Sequence, residues 1–433
     1  MMKGNTVLLL TLFSTLSCMA QEWNLDECLS YALRNNQELI SHQYDMDIQK
    51  LNHKSAKGRL FPELNASAGL DYYWKVPMQT LPGELVGELQ GTFIAVPTTT
   101  TYAGSYSLDM RMNIINPEVW SQIRLEAIKE QLQKQKYLSI ERVLSRNVSI
   151  SFYLVQQYEC DIISAKRRLN NQTQIHEQVK NMFNNGILDQ IAVNQSLSML
   201  KEQQETYVHT CHALESSLVD LKFWMGYPVD SILAIQQENN IPILDITGFD
   251  VLRLPDFEFQ RLKVDVAEKE FQKSLSAFYP KLEFIGSYGQ LGFGNTNSFI
   301  AHSSAWYTSS FIGLRLSIPI FSLSNIRTSR KGKIRVIQTK QDFLNYEENQ
   351  RKEYAQQINR LQSTLKILNI QKEKLHLAEE NEKLSMQKIE KGIIDMLQLK
   401  QIQRDLIEEQ NKYNQVKTNY LKHYVEFIYL QHR

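Results

Sequence analysis

The chain is short of the residues that end helices. Only 17 glycines and 10 prolines are spread over 433 residues, so turns are few and long helices are expected. No apolar run approaches the roughly 20 residues that a membrane helix needs, although 42% of the residues are hydrophobic. Neither sign of charge prevails: 48 Lys and Arg stand against 47 Asp and Glu. That balance argues against a general nucleic-acid binder, which carries a basic excess. Cysteine is scarce, at four in all. Collagen-like, disordered and helical-membrane classes are excluded, and the length leaves room for two or more domains.

Residues 1–20 have Lys3, an apolar run from Val7 to Leu16, and small residues before Gln21. That is the build of a secretory signal peptide cleaved after Ala20. A lipidated Cys18 is the other reading, with Thr15 standing where an aliphatic residue is preferred. The exported chain then keeps Cys28, Cys160 and Cys211. Three scattered cysteines make no disulfide framework and read as small buried apolar residues.

What the chain does have is itself, written twice. Arg59-Leu-Phe-Pro62-Glu-Leu64 recurs as Ala277-Phe-Tyr-Pro280-Lys-Leu282. The run Leu108 to Ile114 recurs as Leu314 to Ile320, 206 positions later, and Asn185-Gly186-Ile-Leu-Asp189 recurs as Lys391-Gly392-Ile-Ile-Asp395 at the same offset. The first anchor has offset 218, so copy one carries extra residues between Pro62 and Leu108. Residues 21–237 are read as the first repeat, 238–255 as a linker and 256–433 as the second repeat.

Each copy orders its elements alike. A helix (about Asp26 to Gly58, and Phe257 to Ala277) meets a proline stop, and alternation at period two follows. In copy one Leu64, Ala66, Ala68, Leu70, Tyr72 and Trp74 share a face, as do Tyr102, Gly104, Tyr106, Leu108, Met110, Met112 and Ile114. Asn65, Ser67, Gly69, Asp71 and Tyr73, with Ser105, Ser107, Asp109, Arg111 and Asn113, share the other. Copy two repeats the pattern with Leu282, Phe284, Gly286 and Tyr288, then Ile312, Leu314, Leu316 and Ile318; Ile285 interrupts its polar face.

Two long helices come next, from about Glu118 to Asn184 and from about Ser324 to Glu390, each on the order of 100 Å. Their apolar residues recur every seven: Val148, Val155, Ile162, Leu169 and, 206 later, Tyr354, Leu361, Leu368, Leu375. The returning helices do the same with Leu200, Tyr207, Leu214, Leu221 and Leu406, Tyr413, Tyr420, Phe427. Sustained heptads mean coiled-coil packing of outgoing on returning helices. Gly186 and Gly392 sit where a helix ends in a left-handed residue, and Asp189 and Asp395 where the next wants an N-cap.

Strands of about 12 residues match an outer-membrane strand tilted across an apolar band. Aromatics cluster at their hairpin ends as a candidate interfacial girdle: Tyr72, Trp74, Tyr102, Tyr106, Trp306 and Tyr307. Phe61, Tyr279 and Phe321 stand at the opposite ends. Four strands close no membrane barrel, and lipid-exposed edges are not tolerated. Two chains would supply eight strands and a filled interior; three supply twelve and a water-filled bore. A homotrimer is the physical preference.

Taken together, the opening Trp23-Asn-Leu25-Asp-Glu27-Cys-Leu29-Ser-Tyr-Ala32-Leu33-Arg-Asn35-Asn36, the two (Phe/Tyr)-Pro strand starts and the two Gly-Ile-X-Asp tips resemble the TolC-like outer-membrane efflux proteins over residues 22 to 433. The fold this implies is α+β and mostly helical. A duplicated unit gives four strands to a trimeric 12-stranded outer-membrane β-barrel, continued by an α-helical coiled-coil barrel in the periplasm. The resemblance further implies an exit duct of a Gram-negative efflux or export system. Its partners are a periplasmic adaptor (membrane fusion) protein and an inner-membrane transporter, proton-driven or of ABC type. By the same resemblance, gate and adaptor docking fall on Asn185, Gly186, Asp189, Lys391, Gly392 and Asp395. Gln398, one turn beyond Asp395, stands where relatives place a second acidic residue.

Signals for catalysis are poor. HExxH and GxxxxGK[ST] are absent, as is zinc-like ligand spacing. His209, Cys211 and His212 lie on a heptad helix, where Cys211 falls on the packing seam; Gly289, Gly292 and Gly294 end a strand and make no dinucleotide fingerprint. No enzyme, cofactor or metal is expected. The basic cluster Arg327, Arg330, Lys331, Lys333, Arg335 reads as a solvated face or a contact with anionic head groups. The competing reading of the whole chain is an exported coiled-coil scaffold that conducts nothing.

Overall fold

The computed structural model describes residues 22–87, 89–237, 255–296, 300, 306–390, 394 and 396–431. The signal segment at 1–20, residues 238–254 of the linker, and Lys391, Gly392 and Asp395 lie outside them. In chain order come β1 (Glu22–Trp23), α1 (Leu25–Asn35), α2 (Gln37–Gly58), β2 (Glu63–Tyr72), β3 (Met78–Pro82), a 3-10 turn (Gly83–Val86), β4 (Phe93–Pro97), β5 (Tyr102–Ile115), α3 (Pro117–Asn184), α4 (Gln190–Met225), β6 (Ala234–Ile235), α5 (Pro255–Ser276), β7 (Lys281–Gly294), β8 (Trp306–Ser317), α6 (Leu323–Glu390) and α7 (Met396–Gln431). The duplication is plain in these bounds. α3 and α6 have 68 residues each, α4 and α7 have 36 each, and each pair starts and ends 206 positions apart.

The chain forms two units. The first holds Met1–Gln43, Tyr137–Phe257 and Glu347–Arg433. Its main core joins α1, the start of α2, α3 and α4 through Cys28, Ala32, Leu39, Leu144, Val148, Phe152, Val155, Leu221 and Met225. Two smaller clusters follow: Leu361, Leu368, Tyr420 and Phe427 between α6 and α7, and Ile175, Val179, Ala192, Met199 and Leu399 where α3, α4 and α7 meet. The heptad positions divide accordingly. Val148, Val155, Leu221, Leu361, Leu368, Tyr420 and Phe427 are buried, while Ile162, Leu169, Tyr207 and Leu214 are half-buried.

The expected single helix from Asp26 to Gly58 is two helices. A capping box starts α1: Asn24 Oδ1 accepts from Glu27 N at 2.8 Å and Glu27 Oε2 accepts from Asn24 N at 3.0 Å. Asn36 then breaks the run with extended backbone (φ −66°, ψ 123°). Its Oδ1 accepts from Glu38 N and Leu39 N, capping α2, and its Nδ2 donates to Trp224 O at 3.0 Å. The break is thus set by a partner on α4, which sequence spacing does not reveal. Trp23, Tyr31 and Tyr227 pack edge to face beside it, with centroids 5.3 to 5.9 Å apart.

Cys28, Cys160 and Cys211 are free. Burial pushes the Cys28 thiol up to about 12, and Cys28 has no exposed surface. Because the thiolate is the nucleophile, a maleimide at neutral pH should modify only Cys160 and Cys211 in the folded protein. Cys28 should react after denaturation; peptide mass mapping before and after unfolding checks this, and native labelling of Cys28 would contradict the core.

The second unit holds Tyr44–Lys136 and Glu258–Tyr346. Its centre is one four-stranded antiparallel sheet in the order β2-β5-β7-β8. The two copies' strand pairs are therefore joined through β5 and β7, with a bulge between Asn113 and Ile115. The extra residues of copy one include a separate β3–β4 hairpin, registered Met78↔Pro97 to Pro82↔Phe93. β8 ends at Ser317, short of the expected Ile318, because Pro319 follows and offers no backbone donor.

Candidate functional site: the first hairpin tip and the two-faced sheet

At the tip in the first unit, α3 ends in a Schellman motif. Gly186 (φ 73°) donates its N–H to Phe183 O at 2.9 Å, and Ile187 N donates to Met182 O at 2.9 Å. No Cβ contact constrains Gly186; the left-handed backbone alone requires glycine. Asn185 N donates to Asn181 O at 3.1 Å, closing the last turn. Asp189, in extended backbone, caps α4 by accepting from Ala192 N at 2.9 Å. Ala192 belongs to the cluster with Leu399, so this tip is tied to α7 by apolar packing. The corresponding positions Lys391, Gly392 and Asp395 lie outside the described residues.

Behind the tip lies a polar layer that sequence reasoning missed. Gln172, Gln203 and Gln403 are buried, and with Arg168, Met199 and Glu382 they line a cavity of about 30 Å³. Burial pushes the Glu382 carboxyl up and the Arg168 guanidinium down. Gln403 Nε2 donates to Glu382 Oε1 at 3.5 Å. The signal was present in the heptads: Gln172 and Gln203 lie three residues beyond Leu169 and Leu200, on the companion seam positions. His176 Nδ1 lies 2.8 Å from Oγ of the buried Ser196 in the same unit.

In the second unit, register settles which residues share a face. One row reads Leu64↔Met110↔Gly286↔Ile312 and another Ala66↔Leu108↔Tyr288↔Ser310. The alternate rows read Asn65↔Asp109↔Ser287↔Phe311 and Ser67↔Ser107↔Gly289↔Ser309. Ser67 and Ser107 share a hydrogen bond of 2.9 Å. The even-numbered face is apolar yet uncovered: Leu64 is 62% exposed, Leu314 66% and Ile312 77%. At the start of β7, Lys281 Nζ donates to Glu118 Oε2 at 2.6 Å, and this bond holds the Glu118 carboxyl below the usual range.

The girdle candidates divide between the faces. Tyr72, Tyr102, Tyr106 and Trp306 lie on the apolar face. The rings of Tyr72 and Tyr102 pack at a tilt with centroids 5.0 Å apart, and those of Tyr106 and Trp306 likewise at 5.3 Å. Trp74 stands just past β2, 6.1 Å from Tyr72. Tyr307 is on the opposite face, in register with Leu291 and 6.2 Å from Phe293. Neighbours along a strand point to opposite sides, so grouping Trp306 with Tyr307 by position at the hairpin end joined two faces.

Residues 252–427 match the model of the family described as outer membrane efflux protein. No curated protein matches the chain in sequence. Among solved structures, CusC aligns with 94% of this chain and 92% of its own at 15% identity and a TM-score of 0.74. The CmeC outer membrane channel of Campylobacter jejuni aligns over 94% and 85% at 13% identity, TM-score 0.75. The MtrE outer membrane channel of Neisseria gonorrhoeae, in its open state, aligns over 94% and 88% at 14% identity, TM-score 0.71. At such identities the likeness is one of fold. The second repeat thus matches the outer membrane efflux protein family, and the chain as a whole has the fold of these outer-membrane channels.

Proposed function

We propose that the chain is the outer-membrane exit duct of a tripartite efflux or export system, and that it works as a homotrimer. The observation that carries this is the sheet. Its even face is mostly apolar and exposed, its odd face mostly polar, and β2 and β8 end it without pairing to a further strand among the described residues. Unpaired edges and an uncovered apolar face are both relieved if three copies join β8 to β2 into a 12-stranded barrel with its apolar side to lipid. Exposed apolar stripes on the flanking helices favour the same closure: Tyr44, Ile48 and Leu51 on α2, and Ile334, Ile337 and Leu344 on α6. The apolar face disfavours a soluble coiled-coil scaffold, which gains nothing from it.

Tyr72, Trp74, Tyr102, Tyr106 and Trp306 would then meet one membrane interface. Transport is passive, and selection is left to an inner-membrane transporter of proton-driven or ABC type, reached through a periplasmic adaptor. The helical tips are the periplasmic mouth, where Asn185, Gly186 and Asp189 with Lys391, Gly392 and Asp395 serve gating and adaptor docking. The open state named for MtrE supports a mouth that opens. In planar bilayers the wild type should conduct, and Asp395→Ala should raise single-channel conductance. A wild type that never conducts would favour the scaffold; unchanged conductance in the variant would remove Asp395 from the gate.

A further inference from the structure

The two faces of the β7–β8 hairpin change in character along its length. Over Leu282 to Tyr288 and Ile312 to Leu316 the even-numbered face is apolar. Toward the turn the same face carries Ser310, then Gln290 and Thr308, joined by a 3.3 Å hydrogen bond, and beyond them Trp306. There apolar side chains also stand on the other face, as Leu291, Phe293 and Tyr307. Leu291 pairs with Tyr307, and the Phe293 and Tyr307 rings are 6.2 Å apart. Tyr307 is 62% exposed and Leu291 46%, so neither is used up by packing within the chain.

The change has a physical reading. Inside the lipid band a barrel's outward face must be apolar. At the interface that face carries polar groups among the girdle aromatics Tyr106 and Trp306, and Gln290 and Thr308 suit that level. Apolar side chains placed there on the opposite face gain nothing from lipid; they line the bore. Charge adds a second element. Asp71 shares their face, in the row Asp71↔Ala103↔Phe293. The basic residues of that face among the described residues, Arg111, Lys281 and Arg315, all stand toward the opposite end of the sheet. Aromatic faces attract cations, and a nearby carboxylate selects the same sign.

Resting on the duct reading above, we propose that Leu291, Phe293 and Tyr307, with Asp71, form a contact site for amphipathic organic cations at the outer end of the bore. The probe is tetraphenylphosphonium, added to the outer side of trimers in planar bilayers after their conductance in potassium chloride has been recorded. It should block the open current at lower concentration than tetraethylammonium, which has the same charge and no rings. Removing both rings in Phe293→Ala/Tyr307→Ala should raise the half-blocking concentration at least about 5-fold. Asp71→Asn should raise it about 2-fold or more, and Thr308→Ala, on the other face, should leave it unchanged. If the alanine pair fails to assemble, Phe293→Leu/Tyr307→Leu keeps the apolar volume and should still weaken the block. Equal block in wild type and ring-less variants overturns the site while leaving the duct intact. A wild type without conductance in salt alone overturns the duct reading and the site with it.

Discussion

A Leu314→Arg chain is expected to be lost from the outer membrane, whereas Ser309→Arg accumulates there as wild type does. The two positions lie five residues apart on β8 and on opposite faces. Leu314 shares the apolar rows, opposite Phe284, and Ser309 the polar rows, opposite Gly289. An arginine on the lipid face near the middle of the band costs about 2–4 kcal/mol per copy. Threefold repetition in one assembly multiplies that cost, while an arginine on the bore side stays in water. Fractionation of membranes followed by immunoblotting reads the outcome. Normal assembly of Leu314→Arg would mean that the even-numbered face does not meet lipid.

The second large effect is expected at Gly226→Ala. Gly226 ends α4 with φ 68°, a left-handed conformation that costs a side-chain-bearing residue roughly 1–2 kcal/mol. Space is also lacking. A Cβ there would sit 2.6 Å from Asn35 O and 2.9 Å from Asn35 C, both backbone atoms of the α1–α2 junction. Relieving that clash means moving the junction away from α4, where Asn36 Nδ2 bonds Trp224 O. Backbone strain and overpacking together should cost about 3 kcal/mol or more. Gly58→Ala is the control: nothing lies within 4 Å of its Cβ position, and alanine is the better helix former. Thermal unfolding and limited proteolysis should separate the two, with Gly226→Ala early to cleave near residues 24–40 and Gly58→Ala close to wild type. Equal stability would show that the α1–α4 contact is loose.

Much of this architecture was legible because it is periodic. The constant offset of 206 gave α6 and α7 the lengths of α3 and α4, and period two assigned Leu64, Leu108 and Leu314 to one face before any pairing was known. The Gly186 and Asp189 turn chemistry was equally readable, since a left-handed C-cap and an N-cap are local events. Features fixed by distant partners were not. Asn36 breaks a helix through a bond to residue 224, and neither proline nor glycine marks the place. Pairing of β5 with β7 joins the two copies, but alternation sets the face of a strand and never its neighbour. Tyr307 was grouped with Trp306 by its place at a strand end, where parity decides the side. The polar layer around Arg168 escaped notice because glutamine on a heptad seam breaks the pattern that makes a seam visible.

The central claim is that three chains close one barrel. Native mass spectrometry of the protein extracted from outer membranes in mild detergent tests it most directly. The account predicts a single species of three chains that dissociates to monomers on heating. A species of one or two chains, or recovery of the protein without detergent in the soluble fraction, would contradict it.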